Sequence, residues 1–166
     1  MTTRVNELGL PIGPELPDWI ARPRPPHAVM QGRYCRVEPL DPERHATDLH
    51  AANSLDREGR MWTYLLSGPF ESFDAYRAWL ESKRESEDPL FFAFVEAGSG
   101  RAVGLGSYLR IDPANGSVEV GHLQYSPLMQ RTAVATEAMY LMMKTSFELG
   151  YRRYEWKCDA LNARSR

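Results

Sequence analysis

The 22 residues from Val118 to Met139, VEVGHLQYSPLMQRTAVATEAM, constrain the fold more than any other part of this chain. A strand-like run holding one acid, Glu119, stops at Pro127. A tight loop of small residues with one arginine follows, and then a long helix. Strand, loop and helix in that order gather unpaired main-chain N–H groups at the positive end of a helix dipole. Those are the parts of an anion site, and phosphate is the usual occupant. Glu119 lies just upstream, so one short segment offers both a phosphate cradle and a base.

Composition bounds the rest. A chain of 166 residues, 43% hydrophobic and 25% charged, has the make-up of one globular domain. Its formal net charge of −2 gives no pull toward nucleic acid or an anionic membrane. No apolar run approaches the ~20 residues of a membrane span. The opening MTTRVNELGL lacks the apolar core of a signal peptide. Cys35 and Cys158 make neither a disulfide framework nor a C-x-x-C pair. They read as two quiet strand cysteines, and the expected location is a reducing cytoplasm. His45 and His50 sit five apart on a helical stretch, off the i, i+4 spacing of a helical metal pair, so no metal is expected.

Prolines at 11, 14, 17, 23, 25 and 26 mark residues 1–30 as an extended arm. Trp19 and Ile20 are its expected anchors. Residues 31–166 read as one domain. The pattern predicts a strand over Arg33–Glu38, closed by Pro39, and a helix capped by Asp41 and running through Ala52. A second short helix is expected over Arg57–Leu66. In SFDAYRAWLESKRESE, opened by Ser72, the residues Phe73, Tyr76, Trp79 and Leu80 fall at helical spacing. Strands are expected over Leu90–Glu96, Ala102–Ile111 and Ser117–Tyr125, the last two joined through Asn115-Gly116. A helix over Val134–Leu149 ends at Gly150. Its apolar residues surround most of its girth, so cover on several sides is expected. Arg153–Asp159 is the last strand. The order β, helices, β-β-β, α, β predicts an α/β (α+β) domain whose sheet is mostly antiparallel, with one parallel crossover.

These runs resemble the GNAT superfamily of acetyl-coenzyme A-dependent N-acetyltransferases, and most closely its ribosomal-protein N-terminal acetyltransferase branch. The signs are V-E-V-G-H with S-P five residues after Gly121, the loop Q-R-T-A-V-A running into T-E-A, and N-A-R-S after the last strand. The resemblance covers roughly residues 30–166. Gln130, Ala133 and Ala135 occupy the defined places of the family's Gln/Arg-x-x-Gly-x-Gly/Ala loop. Ala133 departs from the usual glycine, which lets backbone approach a pyrophosphate without a Cβ in the way. Alanine is the smallest substitute and keeps the N–H.

The resemblance implies acetyl-coenzyme A as cosubstrate and direct attack by an amine. It places the pyrophosphate on Gln130, Arg131, Thr132, Ala133, Val134, Ala135 and Thr136, and the pantetheine arm on Asn162; if the strands ending at Tyr125 and Asp159 splay apart, the backbone groups of Leu123 and Tyr125 lose their ladder partners and the amides of that arm can replace them. Ser165 follows in the same motif and starts a further helix. Taken alone, Arg131 reads equally as a solvated arginine, and N-A-R-S as a turn or helix cap. Glu119 stands where several members have a catalytic glutamate; a cross-strand partner or a rim charge is the alternative. His122 is a second base candidate, although an ideal strand turns it to the face opposite Glu119. Trp62 and Tyr64 lie in the stretch where the family places a substrate-side loop, and read either as an amine pocket or as core. A protein N-terminus or a small amine is the expected acceptor. Neither nucleic acid nor membrane is an expected partner, and a homodimer is left open. The family continues past the N-A-R-S motif with a helix and strands, so the chain reads as a GNAT-like domain lacking its last helix and strands.

Overall fold

A computed structural model describes residues 4–166. A small hairpin of β1 (Arg4–Val5) and β2 (Pro11–Ile12) stands apart from the main sheet. The main sheet has six strands: β3 (Met30–Gln31), β4 (Cys35–Pro39), β5 (Leu90–Glu96), β6 (Ala102–Asp112), β7 (Ser117–Tyr125) and β8 (Arg153–Trp156). They lie in the order β3-β4-β5-β6-β7-β8. Every pairing is antiparallel except the parallel one between β7 and β8. The expected α/β architecture with one crossover is what forms.

Helices α1 (Pro42–Asn53) and α2 (Phe73–Glu81) cover one face, and α3 (Ala133–Glu148) covers the other. Each start follows a cap written in the sequence. The side chains of Asp41, Ser72 and Thr132 accept N–H bonds from Glu43, Ala75 and Ala135. At the far end of α3, Gly150 adopts the left-handed conformation, φ 87°, that ends a helix without Cβ strain. β5 reads LFFAFVE with almost no alternation because both its faces are buried. Leu90, Phe92 and Phe94 pack under α3, while Phe91, Ala93 and Val95 pack under α1 and α2. Glycines on β6 make room for these rings. A Cβ on Gly106 would stand 2.6 Å from the Phe94 ring.

Several expectations give way. The helix expected over 57–66 is only a single 3-10 turn, Arg60–Trp62, held by Asp56 accepting the Met61 N–H at 2.7 Å. β4 and β8 are shorter than the strands expected there, and β3 adds an edge strand that two residues of sequence cannot announce. Trp19 does anchor the arm: its indole N–H donates to Ala114 O, and its ring covers Gly116. Ile20 does not, being 67% exposed. α3 is covered on fewer sides than its apolar girth predicts, since Tyr140, Met143 and Phe147 are exposed. Of the cysteines, Cys35 is buried on β4, while Cys158 lies beyond β8 and is exposed. Among the described residues, no helix is long and apolar enough to cross a membrane.

Candidate active site on strand β7

The ladder between β6 and β7 slips twice. Leu105 opposes Gln124 but Ser107 opposes Gly121, so His122 and Leu123 together face Gly106. That bulge sits on His122, whose φ of 51° lies in the left-handed region. Farther along, Arg110 and Ile111 together oppose Val118, with Arg110 at φ 46°. Asp88 fixes this second bulge by accepting the N–H groups of both Arg110 and Ile111, at 2.9 and 3.0 Å.

The first bulge resets the alternation of β7. Val118 and Val120 pack under α3, while Glu119 points to the α1–α2 layer. An ideal strand would send His122 under α3. Instead its ring lies 5.1 Å from Phe91, a residue of the α1–α2 layer, and its Nδ1 is 2.8 Å from Ser107 Oγ. His122 and Glu119 therefore share one face, contrary to the sequence-based expectation. Gln124, two residues on, shares it too.

Glu119 is buried, at 5% exposure. Its Oε2 receives Arg110 Nη1 at 2.5 Å and Lys157 Nζ at 2.8 Å. Burial pushes the carboxyl pKa up, but the two cations outweigh it and leave Glu119 below the usual carboxylate range. For His122, burial is the largest influence and lowers the pKa. The charge of Lys83 and then that of Arg110 act in the same sense, and Glu119 opposes them only in part. At neutral pH the face thus presents a fixed anion beside a neutral imidazole.

β8 pairs with β7 only from Ser117 to Val120. From Gly121 onward β7 has no β8 neighbour among the described residues. One group there is already engaged, because Tyr125 O accepts Gln130 Nε2 at 2.8 Å. The loop into α3 is seated by Ser126, whose Oγ donates to Val103 O, and by Met129, fully buried over Gly104.

Of the main-chain N–H groups from Gln130 to Thr136, four are bound within the protein. Gln130 donates to Ser126 O, Thr132 to Met129 O, Ala135 to Thr132 Oγ1 and Thr136 to Thr132 O. Among the described residues, the N–H groups of Arg131, Ala133 and Val134 have no protein acceptor. Arg131 is turned by a left-handed φ of 61°. The free donors thus cluster at the α3 N-terminus, a smaller cradle than the sequence suggests.

Trp62 is buried and lines a 280 Å³ cleft beneath the end of α1. Tyr64 does not line it; it is half-exposed, and its hydroxyl donates to Leu161 O at 3.2 Å. Asn162 Oδ1 accepts the Ser165 N–H, so N-A-R-S folds as a turn. His45 is buried against Glu38, and His50 packs on Phe73 and Tyr76. Among the described residues no group of three or more His, Cys, Asp or Glu side chains is placed to hold a metal ion.

Sequence reasoning missed Arg110, Lys157, Ser107 and Gln124. Their only signal was proximity along β6–β8; the slips in the β6–β7 register and the parallel pairing of β7 with β8, which bring them together, leave no mark in the residue pattern.

A family model described as an acetyltransferase (GNAT) domain matches residues 36–166. A GCN5-related N-acetyltransferase from Brucella melitensis is 41% identical, with a TM-score of 0.87; the match covers 90% of this chain and 68% of that one. A GNAT-family protein from Chromobacterium violaceum is 38% identical with a TM-score of 0.84, over 94% of this chain and 78% of that one. At 16% identity, the ribosomal L7/L12 alpha-N-protein acetyltransferase RimL superposes with a TM-score of 0.68, over 82% of this chain and 75% of that one, a likeness of fold alone. No curated protein matches the sequence.

Proposed function

The chain belongs to the GNAT acetyltransferase family, and on that premise we propose that it transfers the acetyl group of acetyl-coenzyme A to a primary amine, either a protein N-terminus or a small amine. The observation that carries this reading is the bulge at His122, which brings Glu119 and His122 to one face where β7 parts from β8.

The residues fit the donor. Free N–H groups at Arg131, Ala133 and Val134 are available to a pyrophosphate at the positive end of α3. The unpaired length of β7 beyond Gly121 offers main-chain groups to the amides of a pantetheine arm, a small-molecule form of strand addition. In the reaction a neutral amine attacks the thioester carbonyl, a C–N bond forms, the C–S bond breaks, and the sulfur leaves with the electron pair. The amine must lose one proton in reaching the product amide.

Glu119 is the proposed acceptor of that proton. Its Oε2 holds the two cations, and among the described residues Oε1 has no protein donor, so Oε1 is the oxygen that faces the amine or a bridging water. A second reading moves the proton to His122 and has one observation in its favour. Arg110 and Lys157 weaken Glu119 as a base, whereas burial keeps His122 neutral and able to accept. In that case Glu119 orients the incoming amine. The acceptor enters on the side of Trp62 and Tyr64. Within the family, the ATEA and N-A-R-S runs are the grounds for placing the chain near the ribosomal-protein N-terminal acetyltransferases.

Thiol release from acetyl-coenzyme A over a panel of primary amines tests the activity, and calorimetry with coenzyme A tests the donor site. Release of thiol dependent on an amine is the expected result. Neither coenzyme binding nor amine-dependent release would end the proposal. Glu119→Gln is expected to lower turnover about 100-fold with coenzyme affinity unchanged, and unchanged turnover would remove Glu119 as base.

A further inference from the structure

The cleft beside Trp62 contains a group the acetyl-transfer reading does not use. Asn53, at the end of α1, is 6% exposed and lines the cleft. Its Nδ2 donates to Tyr76 OH at 3.2 Å, and Tyr76 OH donates to Gln124 Oε1 at 3.1 Å. This chain of bonds sets the direction of the Asn53 amide. With Gln124 Oε1 facing it, the Tyr76 hydroxyl gives its proton to Gln124 and accepts the Asn53 N–H. Its Oδ1 is left buried and without a hydrogen-bond partner among the described residues. A neutral buried carbonyl without a donor is an unusual thing to keep in a folded protein.

We propose that this cleft is the specificity subsite for the acceptor, and that it takes one aromatic ring bearing a hydrogen-bond donor, a phenol or an indole, whose O–H or N–H is bound by Asn53 Oδ1. The proposal deepens the acetyl-transfer reading and rests on it for the identity of the molecule that enters.

Shape, charge and connection point the same way. The walls are rings: Trp62 meets Phe70 edge-on at 5.6 Å, and Phe70 meets Tyr76 at 5.1 Å. That geometry suits a further ring packed at an angle. The volume of 280 Å³ is just under the ~300 Å³ at which whole-ligand pockets begin, so it suits a side chain and not a complete substrate. The Trp62 wall is held in place by Gly68, whose φ of 77° and missing Cβ let the indole lie against the backbone. Asp56, Arg57 and Glu58 put charges of both signs around the cleft, which favours selection by shape and hydrogen bonding over selection by charge. Gln124, at the far end of the bond chain, lies on the same face of β7 as Glu119 and His122. The cleft is therefore wired to the strand that carries the reacting end.

Tyramine and 2-phenylethylamine differ only in the phenol O–H, which makes them the discriminating pair. Calorimetric titration of each into the protein with coenzyme A should show tyramine binding about tenfold more tightly, with kcat/KM in the thiol-release assay following. Asn53→Leu, close in volume, should remove the difference by weakening tyramine alone, with coenzyme A affinity unchanged. Should Asn53→Leu not fold, Phe70→Ala takes its place and should weaken both amines by opening the wall. Equal binding of the two amines by the wild-type protein, or no binding of either, overturns the subsite. Preferential binding of tyramine without acetylation of any amine keeps the subsite and overturns acetyl transfer.

Discussion

Glu137 Oε2 accepts the main-chain N–H of Cys35 at 2.8 Å, joining α3 to β4 across 102 residues of chain. The same carboxylate accepts the N–H groups of Arg33 and Tyr34, at 2.9 and 2.6 Å. It thus closes the β3–β4 turn onto the helix that also forms the free N–H cluster. Burial raises the Glu137 pKa, and the three donors more than reverse that, holding it below the usual carboxylate range. Glu137→Leu leaves three N–H groups without an acceptor and is expected to cost about 3 kcal/mol in urea unfolding. A Cβ on Gly32 would collide with this carboxylate, so Gly32→Ala should act on the same contact. The double variant is then expected to lose little more than Glu137→Leu alone. Additive losses would mean that the two positions are energetically separate.

Acid should begin to destabilise the fold well above the carboxylate range. His45 is buried on α1; its Nδ1 accepts the Asp41 N–H at 3.1 Å, and Nε2 faces Glu38 Oε2 at 3.3 Å. Burial is the largest influence and lowers its pKa below 6.5, although Glu38 opposes the shift. The folded state therefore prefers the neutral ring. This stabilisation is present above the unfolded pKa of 6.5 and is lost as pH falls through the lower folded value. Glu38, held low by Arg36, Arg44 and His45 against the upward push of burial, adds a second loss below its ordinary 4.5. Unfolding free energy measured at pH 7.5 and 5.5 should fall on acidification, and His45→Gln should reduce that step, leaving the share of His122, whose pKa burial also lowers. A pH-independent stability across the interval would contradict the assignment.

Much of this was legible in residues. The caps at Asp41 and Ser72, the Asn115-Gly116 turn, the apolar run of β5 and the stop at Gly150 each have a local cause, and local causes survive into the fold. The candidate site was legible only where it followed the chain. Glu119, the loop after Pro127 and the free N–H groups of Ala133 and Val134 lie in one continuous segment. The rest depends on register. One inserted residue at His122 moves a ring from one layer to the other, and alternation cannot anticipate it. Arg110 comes from β6 and Lys157 from just past the end of β8, and only the pairing of those strands with β7 puts both on one carboxylate oxygen. The expected helix over 57–66 gave way where Gly59, inside that span, takes a left-handed φ of 67°, and only a single turn follows it.

His122 should resist replacement according to backbone preference as well as chemistry. Its φ of 51° suits asparagine and penalises β-branched side chains. His122→Asn is expected to keep stability within about 0.5 kcal/mol, and His122→Val to cost about 2 kcal/mol. Denaturant curves for the two variants decide this. Equal stability would mean that the strand can straighten, and with it the bulge would cease to explain why Glu119 and His122 share a face.

Lys157 separates the two candidate bases. It bonds Glu119 Oε2 at 2.8 Å and lowers the pKa of that carboxyl, but it is not among the charges that act on His122. Arg110 acts on both, so Arg110→Gln raises either pKa and moves the acidic limb of a kcat/KM profile upward whichever group accepts the proton. Lys157→Gln raises the pKa of Glu119 only. If Glu119 is the base, the limb moves to higher pH in this variant, because a carboxyl that has lost one cation takes up its proton earlier on acidification. If His122 is the base, the limb stays where it is. Lys157 is mostly solvent-exposed, so the variant should fold normally and the profile report electrostatics alone. A limb that moves with Arg110→Gln and not with Lys157→Gln would assign the proton to His122 and leave Glu119 as the anion that orients the amine.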